Sequence, residues 1–213
     1  MTVKRDEAYQ KFRDAIFNRT FKPGQFLTQA EIIKELGISL GPLRDAAKRL
    51  EWEELILVIP QRGLQIALPN IKNIKEAFQL RIILEKEAVR CFTKNPSQHV
   101  LEKLESATRK LAVKRPEPSR AEGILSDALE VDYSLHIALI DEMKNDQLRN
   151  FYQVIIDKVR VAWLSTSYTQ EIIQPVMEEH IEVIEAVKFG DPELAAQAME
   201  KHLNQSLRRI MGV

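Results

Sequence analysis

Apolar residues recur along this chain at two different periods, and the change of period divides it. In AYQKFRDAIF, residues 8–17, they fall three and four apart, the spacing of one helix face. Pro23 and Gly24 in FKPGQF break that pattern. It resumes in LTQAEIIKELG, where Thr28 and Glu31 stand in the S/T-x-x-E order of a capping box and Gly37 ends the helix. Ser39 is then placed to cap a third helix through SLGPLRDAAKRLEWEEL. The period next shortens. LILVIP and LQIAL are β-rich runs on either side of Gln61-Arg62-Gly63, which reads as a hairpin. Two short helices joined by a tight glycine turn, with a flanking helix and a hairpin, predict a winged helix-turn-helix.

Beyond Pro69-Asn70 every segment has helical period and no convincing strand occurs. The pattern predicts helices near 72–93, 97–112, 122–143, 146–169, 175–189 and 192–210, with an irregular stretch, KRPEPSR, at 114–120. The expected fold is mainly α: a winged helix-turn-helix over residues 1–70, then an all-α six-helix bundle over 71–213.

One stretch of that bundle conflicts with its own pattern. VDYSLHIALI, 131–140, reads as buried helix, with Leu125, Ala128, Leu129, Asp132, His136, Leu139 and Ile140 on one stripe. An unpaired buried carboxylate costs several kcal/mol, so Asp132 requires a partner. Two further histidines lie on apolar stripes: His180 with Met177, Ile181, Ile184 and Val187, and His202 with Ala195, Ala198, Met199 and Leu203. Between them Gly190-Asp191-Pro192 supplies a terminator, an N-cap and a first helical residue, the signs of a helical hairpin. His180 and His202 each lie roughly 15–16 Å from that turn and are therefore level in an antiparallel pair. With Asp132 and His136 one turn apart on a third helix, one carboxylate and three imidazoles can converge as a first-row transition-metal site, Zn²⁺ or Ni²⁺. The alternative is three core histidines with ordinary hydrogen bonds. His99, near a helix start and off these stripes, is expected to be exposed.

Composition narrows the class without deciding it. The 213 residues carry 31 basic and 31 acidic side chains, so no global charge points to nucleic acid. Residues 1–70 hold 11 Lys+Arg against 9 Asp+Glu, too slight an excess to count. Any DNA-binding reading rests on local pattern. The single cysteine, Cys91, excludes an intramolecular disulfide, and no run of eighteen apolar residues or signal-peptide core occurs. A cytoplasmic protein, not a membrane one, is expected.

In a winged helix the second helix of the motif enters the major groove with its N-terminal residues nearest the bases. Arg44 can read guanine or grip phosphate, Lys48 and Arg49 follow, and Arg62 at the wing tip can reach the backbone or minor groove. A small α+β domain with ordinary surface arginines is the alternative. The stretch PGQFLTQAEIIKELGISLGPLRDAAKRLEWEELILVIPQRGLQI resembles the DNA-binding domain of the GntR family of bacterial transcription regulators. Pro23-Gly24, Leu36-Gly37-Ile38-Ser39, Pro42-Leu43-Arg44-Asp45, Leu50-Glu51 and Arg62-Gly63 carry the likeness. The residues expected at the DNA are thus Ser39, Gly41 and Arg44, then Lys48, Arg49, Arg62 and Gly63. Leu40 and Ala30 stand where the family usually has basic residues, which points to an operator different from the usual palindrome.

Residues 72–213 look like the FCD effector domain of the FadR branch of that family, and six helices point to its VanR-like subgroup. That resemblance implies a homodimer on double-stranded operator DNA. It also implies a metal on Asp132, His136, His180 and His202, with a small carboxylate effector on the metal's free positions. Arg81 shares a stripe with Ile74, Ala77, Phe78, Glu85 and Ala88. Either it clamps the effector, or it pairs with Glu85 one turn on. Arg160, Trp163, Ser165 and Tyr168 are further pocket candidates that the pattern does not place. Two other classes of function compete with the regulator: a helical metalloenzyme, though without HExxH, nucleophile motif or phosphate loop, and a winged-helix assembly module with a structural metal.

Overall fold

The structure, a computed structural model, describes residues 2–112, 121–165 and 170–212. The expected loop at 114–120, Tyr168 and the expected helix end at 166–169 lie outside the described residues, as does the side chain of Leu125. By packing, the chain forms two units: Met1–Asn70 together with Asp157–Thr166, and Ile71–Ile156 together with Ser167–Val213.

The first unit contains α1 (Thr2–Phe17), β1 (Phe26–Leu27), α2 (Gln29–Leu36), α3 (Leu40–Trp52), β2 (Ile56–Ile59) and β3 (Gly63–Ile66). Helix α1 buries Ala8, Tyr9, Phe12, Ala15 and Ile16, the helical stripe read in the sequence. These meet Ile32 of α2 and Leu43, Ala46 and Leu50 of α3 in one core, which Val161 also enters. Helix α2 starts at the capping box: Thr28 accepts from the Glu31 amide while the Glu31 carboxylate accepts from the Thr28 amide. It ends at Gly37 in the left-handed conformation, φ 62°. Ser39 stands at the N-cap of α3 with extended backbone, but its side chain makes no capping bond.

The hairpin is part of a three-stranded antiparallel sheet in the order β1-β3-β2. Leu27 lies opposite Leu64, and Ile56 opposite Ile66, so these four buried side chains line the core face. Gly63 (φ 111°) explains itself: a Cβ there would lie 2.4 Å from the Leu27 carbonyl oxygen. Glycine lets the wing close against β1.

The second unit is formed by α4 (Ile71–Lys94), α5 (Gln98–Ala112), α6 (Ala121–Asp141), the first part of α7 (Asp146–Ser165), α8 (Gln170–Phe189) and α9 (Pro192–Met211). Asp191 caps α9 through the amides of Glu193 and Leu194, with Pro192 at the first turn. Helix α8 begins five residues before the expected start at 175, and Pro175 lies inside the helix. A proline there removes one early backbone hydrogen bond, a cost that the apolar face of α8 outweighs. Antiparallel α4 and α9 are tied by Arg90–Glu193 at 2.8 Å and by Lys86–Glu200.

Candidate functional site

Asp132 and His136 project from α6 at i and i+4, His180 from α8 and His202 from α9. The equal heights read from the α8–α9 turn bring His180 Nε2 to 3.3 Å from His202 Nε2. His202 Nε2 is also 3.3 Å from His136 Nε2, and His180 Nε2 is 3.3 Å from Asp132 Oδ1. His136 Nε2 lies 3.8 Å from Asp132 Oδ1. The three imidazoles are buried, while the Asp132 side chain keeps 13% exposure. Donors about 2.0–2.1 Å from one cation, at about 100° to each other, are about 3.1 Å apart, so this cluster fits a single divalent ion.

Electrostatics favour ligation at most of these positions. Burial, and after it the neighbouring His180, lowers the His202 pKa to about 3, and burial lowers that of His180, so both rings stay neutral. Burial alone would raise Asp132, but the His136 and His180 rings hold it well below the ordinary value. Burial lowers His136, and the Glu85 charge more than reverses this, leaving it raised.

Each of two imidazoles rests on a carboxylate. Glu85 Oε2 lies 2.5 Å from His136 Nδ1, while Glu85 Oε1 accepts from Arg81 Nε at 2.6 Å and from the Tyr152 hydroxyl at 2.6 Å. Glu179 Oε2 lies 3.0 Å from His202 Nδ1, and the Arg209 guanidinium grips the same carboxylate. Arg81 therefore makes the pair with Glu85, yet its Nη2 is buried with no partner; His180 Nδ1 is likewise unpartnered. Sequence reasoning placed the four converging residues but missed Glu179, Tyr152 and Arg209, and saw Glu85 only as a partner for Arg81. The weak signals were a glutamate directly before His180 and an arginine seven residues after His202.

The other candidates separate clearly. Arg160, Trp163 and Ser165 lie in the α7 segment that belongs to the first unit. There Arg160 stacks on Phe17 at 4.0 Å, Trp163 is buried, and Ser165 bonds back to the Val161 carbonyl. His99 is exposed, as expected.

On α3, Ser39, Gly41, Arg44 and Lys48 are exposed along its N-terminal face, and Arg62 is exposed at the wing tip. Arg49 is held differently: its guanidinium stacks on the Tyr9 ring at 3.6 Å and donates to Glu53. Asp45 pairs with Arg5 at 2.7 Å, and Glu51 accepts from the Val58 amide, fixing the wing to the helix.

A winged helix with basic residues on an exposed recognition helix, and a helical bundle enclosing an Asp/His₃ cluster, define a two-part DNA-binding regulator. Residues 4–66 match the family model for bacterial regulatory proteins of the gntR family, and residues 76–205 match the FCD domain. The chain belongs to the GntR family and carries an FCD domain. It is 25% identical over 208 residues to the HTH-type transcriptional regulator YdhC of Bacillus subtilis strain 168, across 96% of this chain and 90% of that protein. Among solved structures, a GntR-type transcriptional regulator from Rhodococcus sp. RHA1 superposes with a TM-score of 0.85 at 19% identity, covering 99% of both chains. The Zn²⁺-bound FCD domain of TM0439 superposes with a TM-score of 0.54 at 20% identity, over 68% of this chain and 96% of that one. The family models and the relatives are transcription regulators, not enzymes, and the metalloenzyme reading falls. No helix among the described residues is long and apolar enough to cross a membrane.

Proposed function

We propose that this regulator binds a partly palindromic operator as a homodimer in the bacterial cytoplasm. In that reading the second unit senses a small carboxylate at a divalent metal, Zn²⁺ or Ni²⁺, held by Asp132, His136, His180 and His202. The observation that carries it is the convergence of three buried imidazole nitrogens and one carboxylate oxygen, whose donor atoms all lie within 4.8 Å of one another. The Zn²⁺-bound FCD domain named above supports the assignment. The metal supplies a positive centre for an anionic ligand, and the residual exposure of Asp132 gives the side from which that ligand arrives.

Arg81 is the second ligand contact. A buried guanidinium nitrogen without an acceptor costs about 1–3 kcal/mol, which a carboxylate oxygen at Nη2 would recover. On the DNA side, Arg44 reads base edges early in α3, while Lys48 and Arg62 hold phosphates. With Arg49 engaged by Tyr9 and Glu53, and Gly63 required by the wing's packing, those two residues act mainly by shaping the domain. The six helices described in the second unit support a place in the VanR-like subgroup.

Elemental analysis of protein purified without added metal or chelator tests the central claim: about one equivalent of zinc or nickel per chain is expected, and none refutes it. Titration calorimetry with a panel of small carboxylic acids then tests the ligand, and Arg81→Ala should abolish that heat while keeping the metal.

A further inference from the structure

Resting on the metal reading above, we propose that Glu85 and Glu179 are positioning residues that fix His136 and His202 with their Nε2 lone pairs turned to the metal. Neither carboxylate touches the cluster centre. Each sits behind an imidazole, at Nδ1, and each is itself anchored: Glu85 by Arg81 and Tyr152, Glu179 by Arg209. A carboxylate only accepts hydrogen bonds, so a neutral ring keeps its proton on Nδ1 and leaves Nε2 bare. The consequence is visible at the cluster. His136 Nε2 and His202 Nε2 face each other at 3.3 Å, so with both rings neutral the two lone pairs converge where a cation would sit.

The third imidazole is different. His180 Nδ1 is buried without a partner, so nothing behind that ring selects its tautomer. The site is therefore built in two parts: a pair of imidazoles fixed in advance from α6 and α9, and one from α8 that is not. Carboxylates behind metal-bound histidines commonly contribute a factor of 10–100 in metal affinity.

Glutamine is the informative replacement, because it keeps the volume but must present an NH₂ group to one of its neighbours. In Glu85→Gln, Arg81 and Tyr152 both donate to one oxygen, so the amide NH₂ turns to His136 and drives its proton to Nε2. In Glu179→Gln the Arg209 fork meets both positions of the side chain and shares one of them with His202, so the amide cannot satisfy all three donors and His202 loses its fixed tautomer. Two measurements decide. In metal-free wild type at about pH 8.5, where free imidazole is neutral, ¹⁵N-edited NMR of the side chains should show His136 and His202 protonated at Nδ1, and Glu85→Gln should convert His136 to Nε2–H while Glu179→Gln leaves His202 a mixture of tautomers. Competition against a zinc-binding dye should show zinc affinity lower by about 10–100-fold in each variant, with Glu200→Gln, a half-buried ion-pair change on α9, unchanged. A variant that loses thermal stability yet keeps wild-type zinc affinity overturns the proposal, as does a wild-type Nε2–H tautomer. Failure of the wild type itself to bind zinc or nickel overturns the metal reading and this inference together, and the tautomer spectrum tells the two failures apart.

Discussion

Glu85 carries four roles within one side chain: it neutralises a buried arginine, takes a tyrosine proton donor, supports His136, and raises that histidine's proton affinity. The titration of the three imidazoles sets a pH dependence with a definite sign. His180 and His202 have depressed pKa values in the fold, His202 to about 3, and ordinary values near ~6.5 when unfolded. Below about pH 6.5 the unfolded chain binds more protons than the folded one, so stability falls as pH falls. His136 has the opposite shift, and its contribution is already complete below pH ~6.5 and lost only as pH rises through its raised value. Thermal unfolding of metal-free protein should therefore show Tm dropping from pH 6.5 towards pH 4, by on the order of 1.4 kcal/mol of stability per pH unit for each extra proton taken up. A Tm that is flat over that range contradicts the buried neutral rings. The four converging residues were legible because inward-facing position follows from period and height follows from rise per residue. Glu85 and Glu179 were not legible in these roles. Spacing places a long side chain on a face, but not the neighbour its carboxylate reaches across a helix interface.

At the scale of elements, the cluster joins α6, α8 and α9, three helices otherwise held by side-chain packing and surface ion pairs. A ligand that binds only the folded state stabilises by mass action, about 2.7 kcal/mol at one hundred times its Kd. Stripping the metal with a strong chelator should lower Tm by several degrees in differential scanning calorimetry, and re-addition of one equivalent should restore it. On α3, the exposed N-terminal position of Arg44 leads to a different expectation. Arg44→Ala should cost about 1–3 kcal/mol of operator binding and relax preference at one position per half-site, whereas Lys48→Ala should weaken all sequences about equally. Binding-shift titrations on a randomised operator pool separate the two, and an Arg44→Ala protein with unchanged site preference refutes the base-reading role. Helix ends marked by Thr28, Gly37, Gly190 and Asp191 were readable, since each has a local chemical cause. The strand β1 was not, because two residues are too few to show a period. Ser39 has the right residue type and backbone for a cap, but its hydroxyl makes no capping bond, and the first turn of α8 ahead of Pro175 was not expected.

At the scale of the whole molecule, the chain returns to its first unit after leaving it. Asp157, 1% exposed, is gripped by the Arg13 guanidinium through two bonds of 2.7 Å, and Val161 completes the core around Phe12 and Ile16. Arg19 donates to the Leu164 carbonyl, and Lys158 pairs with Glu54. The first unit takes in Asp157–Thr166 as well as residues 1–70, so the stretch ahead of Pro69-Asn70 is not the whole of it. This has a consequence for inheritance and for engineering. A gene fragment ending at residue 70 encodes every residue of the winged helix, yet omits Asp157, the partner of Arg13, and Val161, which fills its core. Such a fragment should melt well below the full chain or fail to fold, and supplying a peptide of α7 in trans should rescue part of the loss, measurable by circular dichroism. Exchanging reading heads between relatives at the linker would likewise pair each head with a foreign α7. A head moved at that joint keeps its counter-charge only where the receiving α7 also sets an acid against the same arginine, so the seam in the gene is not the seam in the fold.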